Sequence, residues 1–118
     1  MKIDEKKLDK IYKTIRNEDC RLLLKLIPND KGVLYTVLKK EFQKEIKHSI
    51  KNSMFSYYIS LLRRAGLIVK SNEYWILTRI GVRVCQLMES FEQICLTYDL
   101  SDCNADGRIE MMVVERKL

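Results

Sequence analysis

Residues 57–84 read YYISLLRRAGLIVKSNEYWILTRIGVRV, and the order of elements in this stretch decides the fold. A helix that begins upstream is expected to end at Gly66, because glycine adopts the left-handed backbone of a helix C-terminus at no steric cost. Thr78 is expected to cap a second helix, since its hydroxyl can accept a hydrogen bond from an unsatisfied backbone amide. The pattern therefore places a helix on each side of a short intervening segment.

The intervening segment has the composition of a β-hairpin. β-branched and aromatic residues flank a polar turn at residues 71–73, which predicts strands at 67–70 and 74–77. Because side chains alternate across a strand, one of Tyr74 and Trp75 is expected to face the core and the other to be exposed.

The helix before Gly66 has two chemically different sides. A step of about 100° per residue gathers apolar residues on one side: Met54, Tyr58, Leu61, Leu62 and Ala65. The other side gathers polar and basic residues: Asn52, Ser53, Ser56, Ser60 and Arg63. Tyr57, Ile59 and Arg64 lie at the borders. We therefore expect a core-packed helix that presents small hydroxyl groups on its outer face.

Three further helices are predicted upstream by apolar residues at helical spacing. The first runs from about Asp4 to Arg16 with Leu8, Ile11, Tyr12 and Ile15 on one face. The second is capped by Asn17, buries Cys20, Leu23, Leu24 and Ile27, and ends at Pro28. After a possible short strand at Val33, the third places Leu34, Val37, Leu38 and Phe42 on one face.

In this order, the helices and the hairpin resemble a winged helix-turn-helix, as in ArsR/MarR/PadR-like regulators and small archaeal winged-helix DNA-binding proteins. The segments RRAGLI and LTRIG carry the resemblance most specifically, and it covers about residues 17–95. It implies a mainly helical α+β fold with an added N-terminal helix at 1–16, a winged-helix core at 17–79, and a dimerisation helix with a tail at 80–118. The implied function is sequence-specific binding of double-stranded DNA as a homodimeric transcription regulator.

In such proteins the third helix of the motif enters the major groove. The resemblance then places four residues at expected groove contacts: Ser53, Ser56, Tyr57 and Ser60. Asn52 has the amide that can pair with adenine in two hydrogen bonds. Cations expected to contact DNA are Lys39, Lys40, Lys51, Arg63, Arg64, Lys70 and Arg79. The alternative for these serines and cations is an ordinary solvated surface.

Charge is distributed unevenly along the chain. Residues 1–84 carry nineteen Lys/Arg and nine Asp/Glu, whereas residues 85–118 carry three and seven, giving the net charge of +6. A basic segment of this kind is a candidate for binding a polyanion. A winged-helix module that binds only proteins is the alternative function, because fold does not dictate function.

The apolar stripe from Ile80 to Leu96 is longer than a small core requires. It predicts a two-fold dimer interface, or else a helix that packs on the N-terminal helix. The last twenty residues suggest a second hairpin between LTYDL and RIEMMVV, with a turn-rich segment between them. Residues 102–113 partly match a calcium-binding loop, but the twelfth position is Val113 where a glutamate is needed.

No enzyme, metal or cofactor signature is found in the sequence. The four cysteines include no C-x-x-C pair. Cys20 and Cys85 lie in apolar helical patterns, so buried free thiols are expected there, with a disulfide left open. There is no run of about 18 apolar residues and no apolar signal core at the start. We therefore expect a cytoplasmic protein that does not bind a membrane.

Overall fold

Five helices and three short strands form the part of the chain that the computed structural model describes, residues 2–46 and 48–98. In chain order these elements are α1 (Glu5–Arg16), α2 (Glu18–Leu26), β1 (Val33–Leu34), α3 (Tyr35–Glu45), α4 (Asn52–Arg64), β2 (Ile68–Ser71), β3 (Tyr74–Leu77) and α5 (Arg79–Thr97). The fold is therefore α+β and mostly helical, as the sequence predicts. The chain divides into two compact units, one ending at Cys85 and the other beginning at Gln86.

Side-chain caps begin both α1 and α2. The cap of α2 at Asn17 was predicted, whereas Asp4, predicted as the first residue of the first helix, is instead the N-cap of α1. Asp4 accepts hydrogen bonds from the first amides of α1, at 3.1 and 3.2 Å. Asn17 follows α1 directly and caps α2 by accepting from the Cys20 amide at 3.1 Å. Arg21 donates to the carbonyls of Ile15 and Arg16 at 2.8 and 2.9 Å. Because the same short connection ends one helix and begins the next, it fixes the direction of α2 relative to α1.

The core of the first unit lies between α2, α3, α4 and the hairpin. Its members are apolar side chains with almost no exposure: Cys20, Leu23, Leu24, Ile27, Leu38, Phe42, Phe55, Leu62, Leu67 and Ile68. The rings of Phe42 and Phe55 lie 5.6 Å apart, so the C-terminal half of α3 contacts the first turn of α4. The apolar faces of α2 and α4 both contribute to this core.

The three strands form one antiparallel sheet in the order β1-β3-β2. Val33 and Lys70 both lie opposite Trp75, which is buried, whereas Tyr74 is exposed. Asn72, in the two-residue turn between β2 and β3, has a positive φ of 56°, a conformation that asparagine tolerates better than most residues. The predicted hairpin and its alternation are confirmed, but β2 lies one residue later than the predicted strand at 67–70, because Ser71 pairs with Tyr74 and leaves a turn of two residues.

Two glycines join α4 to α5. Gly66 has φ of +77° at the end of α4, and its carbonyl accepts from the Thr78 hydroxyl at 2.6 Å. Thr78 also accepts from the Gly81 amide at 3.0 Å, as expected for a cap. A Cβ on Gly81 would collide with the carbonyl oxygen of Leu67. The start of α5 therefore approaches the backbone just before β2 so closely that only glycine fits.

The buried face of α4 differs from the predicted one. Met54 is 44% exposed, while Phe55 is fully buried and Ile59 is also buried. The reason is aromatic packing, since the Phe55 ring contacts Tyr35 at 5.1 Å as well as Phe42. The larger ring takes the core position, and the neighbouring methionine is turned outward.

Three smaller expectations are also wrong. Val37 on α3 and Tyr12 on α1 are exposed, although their spacing predicted the buried faces. Leu96 and Thr97 belong to α5, so the predicted strand LTYDL does not begin there. Helical hydrogen bonding continues instead through Tyr98, whose amide donates to the Ile94 carbonyl. The rest of the predicted second hairpin and the calcium-like loop lie outside the described residues.

Cys20 and Cys85 are buried, as expected, Cys95 is exposed, and none of the three forms a disulfide. The Cys85 thiol donates to the carbonyl oxygen of Leu24 at 3.7 Å. Burial raises the pKa of Cys20 to about 11, with a further contribution from the charge of Asp19. Cys103 lies outside the described residues. Among residues 2–46 and 48–98, no helix is long and apolar enough to cross a membrane, and no group of side chains could hold a metal ion.

Candidate nucleic-acid interface

The outer face of α4 is an exposed surface of mixed chemistry. Its exposed side chains, with that of the capping residue, are Lys51, Asn52, Ser53, Met54, Ser56, Tyr57, Arg63 and Arg64. We call these eight residues the α4 outer face. At about 1.5 Å per residue the helix is about 20 Å long, which suits an element that lies along a DNA groove. Of the predicted groove residues, only Ser60 is half-buried.

Ser56 on this face is not an isolated hydroxyl. Its Oγ lies 2.8 Å from the Tyr35 hydroxyl, at the first residue of α3. The Tyr35 ring also stands edge-on to Phe55 at 5.1 Å, so it contacts both sides of α4. Tyr35 therefore fixes the position of α4 relative to α3. Sequence reasoning missed this residue, because its partner lies 21 positions away.

Ser60 and Arg64 form a second local pair. Arg64 donates from Nε and Nη2 to the Ser60 hydroxyl oxygen, at 3.2 and 3.0 Å. Both residues were predicted to contact DNA independently. The structure brings them together as a unit in which the serine orients the guanidinium. The Ser60 oxygen is thus already accepting two hydrogen bonds, which leaves its own proton as the group it can still offer.

Arg63 and Lys70 both lie against the hairpin tryptophan. The guanidinium carbon of Arg63 and the ammonium of Lys70 are each 6.0 Å from the Trp75 ring centroid. A cation over an aromatic face is attracted by the ring quadrupole. The end of α4 and the hairpin are therefore connected through Trp75, and two of the predicted DNA-contacting cations are held at this junction.

The other predicted cations lie outside α4. Lys40 on α3 and Arg79 at the start of α5 are exposed, and Lys39 is half-buried. Lys51 immediately precedes α4 and occupies its N-cap position, but its side chain makes no capping hydrogen bond. Within the described residues, none of the seven predicted cations forms an ion pair, unlike Lys13 with Asp9 and Lys44 with Glu41. Their charge is thus not neutralised by carboxylates of the described chain.

The connection between α3 and α4 is held by one amide side chain. Gln43 donates to the carbonyl oxygen of His48 at 2.9 Å and accepts from the Ile50 amide at 3.4 Å. An irregular connection leaves backbone groups without partners, and Gln43 satisfies two of them. His48 itself is exposed. Gln43 therefore limits how the α4 N-terminus can be placed, a role with no signal in the sequence.

A hydrogen bond on the inner side of α4 completes its attachment. The Tyr58 hydroxyl donates to Oδ2 of Asp19 on α2 at 2.9 Å. Burial, together with this bond, raises the pKa of Tyr58 to about 12. The helix is thus held to α2 by a polar contact as well as by apolar packing.

Tyr35 and Lys70 also line a shallow, open depression of about 480 Å³ between the start of α3 and the hairpin. Leu34, Thr36, Glu73 and Trp75 complete its lining. Glu73 places a negative charge beside Lys70 at the hairpin tip. The depression is therefore less positive than the α4 outer face.

Comparison of the chain with protein-family models, with curated proteins and with solved structures finds no match. The function must therefore be inferred from the geometry and chemistry of the chain's own residues.

Proposed function

We propose that this protein binds double-stranded DNA through a winged helix-turn-helix, with α4 in the major groove, and acts as a homodimeric transcription regulator. The order of elements supports the proposal: α2, β1, α3, α4 and the β2–β3 hairpin follow one another as in that motif, and β1 completes the sheet. In this arrangement α3 and α4 are the helix-turn-helix, and the hairpin is the wing.

The observation that carries the proposal is the α4 outer face. It combines small hydroxyls, an amide and a phenol with cations that have no carboxylate partner among the described residues. Small polar side chains allow a helix to approach base edges, and unpaired cations can neutralise phosphates. The opposite side of α4 is fixed to the core by Phe55 and Tyr58. A helix held in this way can present its outer face without reorganising on binding.

The proposed subunit contact is the exposed apolar ridge of α5. Leu87, Phe91 and Ile94 are 53%, 58% and 52% exposed, and Tyr98 continues the spacing beyond the helix. Intervals of four, three and four residues are those of a coiled-coil seam, which two copies of the helix bury against each other. The adjacent Ser90 and Thr97 are uncharged, so two copies would not repel along this seam. A dimer would present two α4 helices to two half-sites about one turn of DNA apart.

Salt dependence of duplex binding tests the proposal. Fluorescence anisotropy with labelled random-sequence duplexes should show binding that weakens steeply as salt rises, because each neutralised phosphate releases counterions. If the protein neutralises about six phosphates, the slope of log K against log salt is expected to be about −5. Absence of binding even at low salt would favour a winged-helix module that contacts only proteins.

A further inference from the structure

The base-pair preference of the proposed DNA interface can be inferred from the exposed residues of the first two turns of α4. In helix-turn-helix proteins these N-terminal turns of the recognition helix contact base edges. Here they expose Asn52, Ser53, Met54, Ser56 and Tyr57. No arginine or lysine occurs between Lys51 and Arg63. The residue types that most often read guanine are therefore absent from the part of the helix that would lie deepest in the groove.

The two arginines of α4 are held at its other end. Arg63 lies over Trp75, and Arg64 donates to Ser60. Tyr57 and Arg63 are six positions apart, or about 9 Å along the helix axis. Lys51 precedes the helix, where its ammonium suits a phosphate better than a base edge. The cations of this surface are thus arranged around the N-terminal turns and not within them.

Two neighbouring side chains make the outer face of α4 partly apolar. Met54 is 44% exposed and Tyr57 is 50% exposed, although both belong to a helix with a well-filled core. They are three residues apart and so lie on the same side of α4. The major-groove group that favours apolar contact is the C5-methyl of thymine. Asn52, one turn before Ser56, carries the amide that pairs with the N6 and N7 atoms of adenine.

We propose that α4 recognises A·T base pairs in the major groove, through thymine-methyl contacts of Met54 and Tyr57 and an adenine contact of Asn52. This inference rests on the proposed DNA binding and adds the class of sequence that is bound. The serines contribute less to the choice, because hydroxyls pair with several bases. Ser56 is also engaged by Tyr35 at 2.8 Å.

Four duplexes of equal length test this preference, with alternating d(A-T), d(A-U), d(I-C) and d(G-C) sequences. Replacing thymine by uracil removes only the methyl group. Inosine paired with cytosine keeps the major-groove pattern of G·C but has the minor groove of A·T. We expect d(A-T) to bind most tightly and d(I-C) to bind as weakly as d(G-C). Loss of the methyls should weaken binding about fourfold for each methyl that is buried.

The variant Met54→Ala combined with Tyr57→Ala should abolish the difference between d(A-T) and d(A-U). The matched control Tyr12→Ala removes an exposed tyrosine from α1 and should preserve that difference. Equal affinity of the wild-type protein for d(A-T) and d(A-U), or binding of d(I-C) as tight as d(A-T), would overturn the inference while leaving DNA binding intact. Failure to bind any of the four duplexes at low salt would instead overturn the proposed function itself.

Discussion

The hydroxyl groups of Tyr35 and Ser56 lie 2.8 Å apart and join the first residue of α3 to the second turn of α4. Tyr35 also packs its ring against Phe55, so a single side chain contacts both the outer and the inner side of α4. The angle between the two helices of a helix-turn-helix decides how the second helix enters DNA. Tyr35 is therefore expected to set the orientation of the proposed recognition helix.

Tyr35→Phe tests this role. The variant keeps the ring contact with Phe55 and loses the hydrogen bond, which should reduce the free energy of unfolding by about 1 kcal/mol. Affinity for duplex DNA should also fall, by a larger factor than the unfolded fraction of the protein alone would cause, since α4 loses an orienting contact. Urea unfolding and anisotropy measure the two quantities. Tyr12→Phe is the control, and an equal effect of the two variants on DNA affinity would contradict the role of Tyr35.

The neighbouring pair Met54 and Phe55 gives a sharp test of which face of α4 is buried. Phe55→Ala should destabilise the protein by about 3–5 kcal/mol, because it leaves a cavity between Tyr35 and Phe42. Met54→Ala should change stability by about 0.5 kcal/mol or less, as expected for an exposed side chain. Chemical denaturation of both variants measures the difference. Similar losses for both would mean that α4 is rotated relative to the structure described here.

The alkaline limit of stability should depend on Cys20 and Tyr58. Burial raises the pKa of Cys20 from 9.0 to about 11 and that of Tyr58 from 10.0 to about 12. Each group is neutral when protonated, so the unfolded chain releases these protons at lower pH than the folded protein does. The free energy of unfolding should therefore be insensitive to these groups below pH 9 and should fall as pH rises towards about 12.

Denaturation at a series of pH values measures this decline. Cys20→Ala lowers stability at all pH values by creating a cavity, but it should make the decline between pH 9 and about 11 shallower. The slope, and not the absolute stability, is the informative quantity. An unchanged slope in Cys20→Ala would show that the thiol does not contribute to it.

The proposed dimer predicts a change of mass in solution. Phe91→Glu places a charge in the middle of the exposed α5 ridge and should convert the dimer to a monomer, because the carboxylate would be buried between two copies. Gln93→Glu adds the same charge on the other side of the helix and should leave the dimer intact. Sedimentation equilibrium measures both. A wild-type protein that is monomeric at high concentration would refute the subunit contact.

Local rules account for most of what could be predicted from the sequence. The caps Asn17 and Thr78 and the C-terminal Gly66 were predicted correctly, because capping depends on residues within about one turn. The hairpin was predicted for the same reason. Its turn and the alternation of Tyr74 and Trp75 depend on neighbours in the chain.

What sequence reasoning missed depends on contacts between distant residues. Periodicity alone placed Met54 in the core, and only the rings of Tyr35 and Phe42 explain why Phe55 is buried instead. The hydrogen bonds from Arg64 to Ser60 could not be predicted, because the long arginine side chain has many rotamers among which the sequence does not distinguish. Gln43, which holds the connection between α3 and α4, has nothing in its sequence context that distinguishes it from a solvated residue.

The most direct test of the central claim, that the α4 outer face binds duplex DNA, is a comparison of two charge reversals by anisotropy over a range of salt concentrations. Lys51→Glu acts at the start of α4, and Lys10→Glu makes the same change on exposed α1. We predict that Lys51→Glu weakens binding at least tenfold and makes the slope of log K against log salt shallower by about one. Lys10→Glu should have only a small effect. Equal effects of the two substitutions, or no effect of either on a measurable affinity, would contradict the assignment of this face.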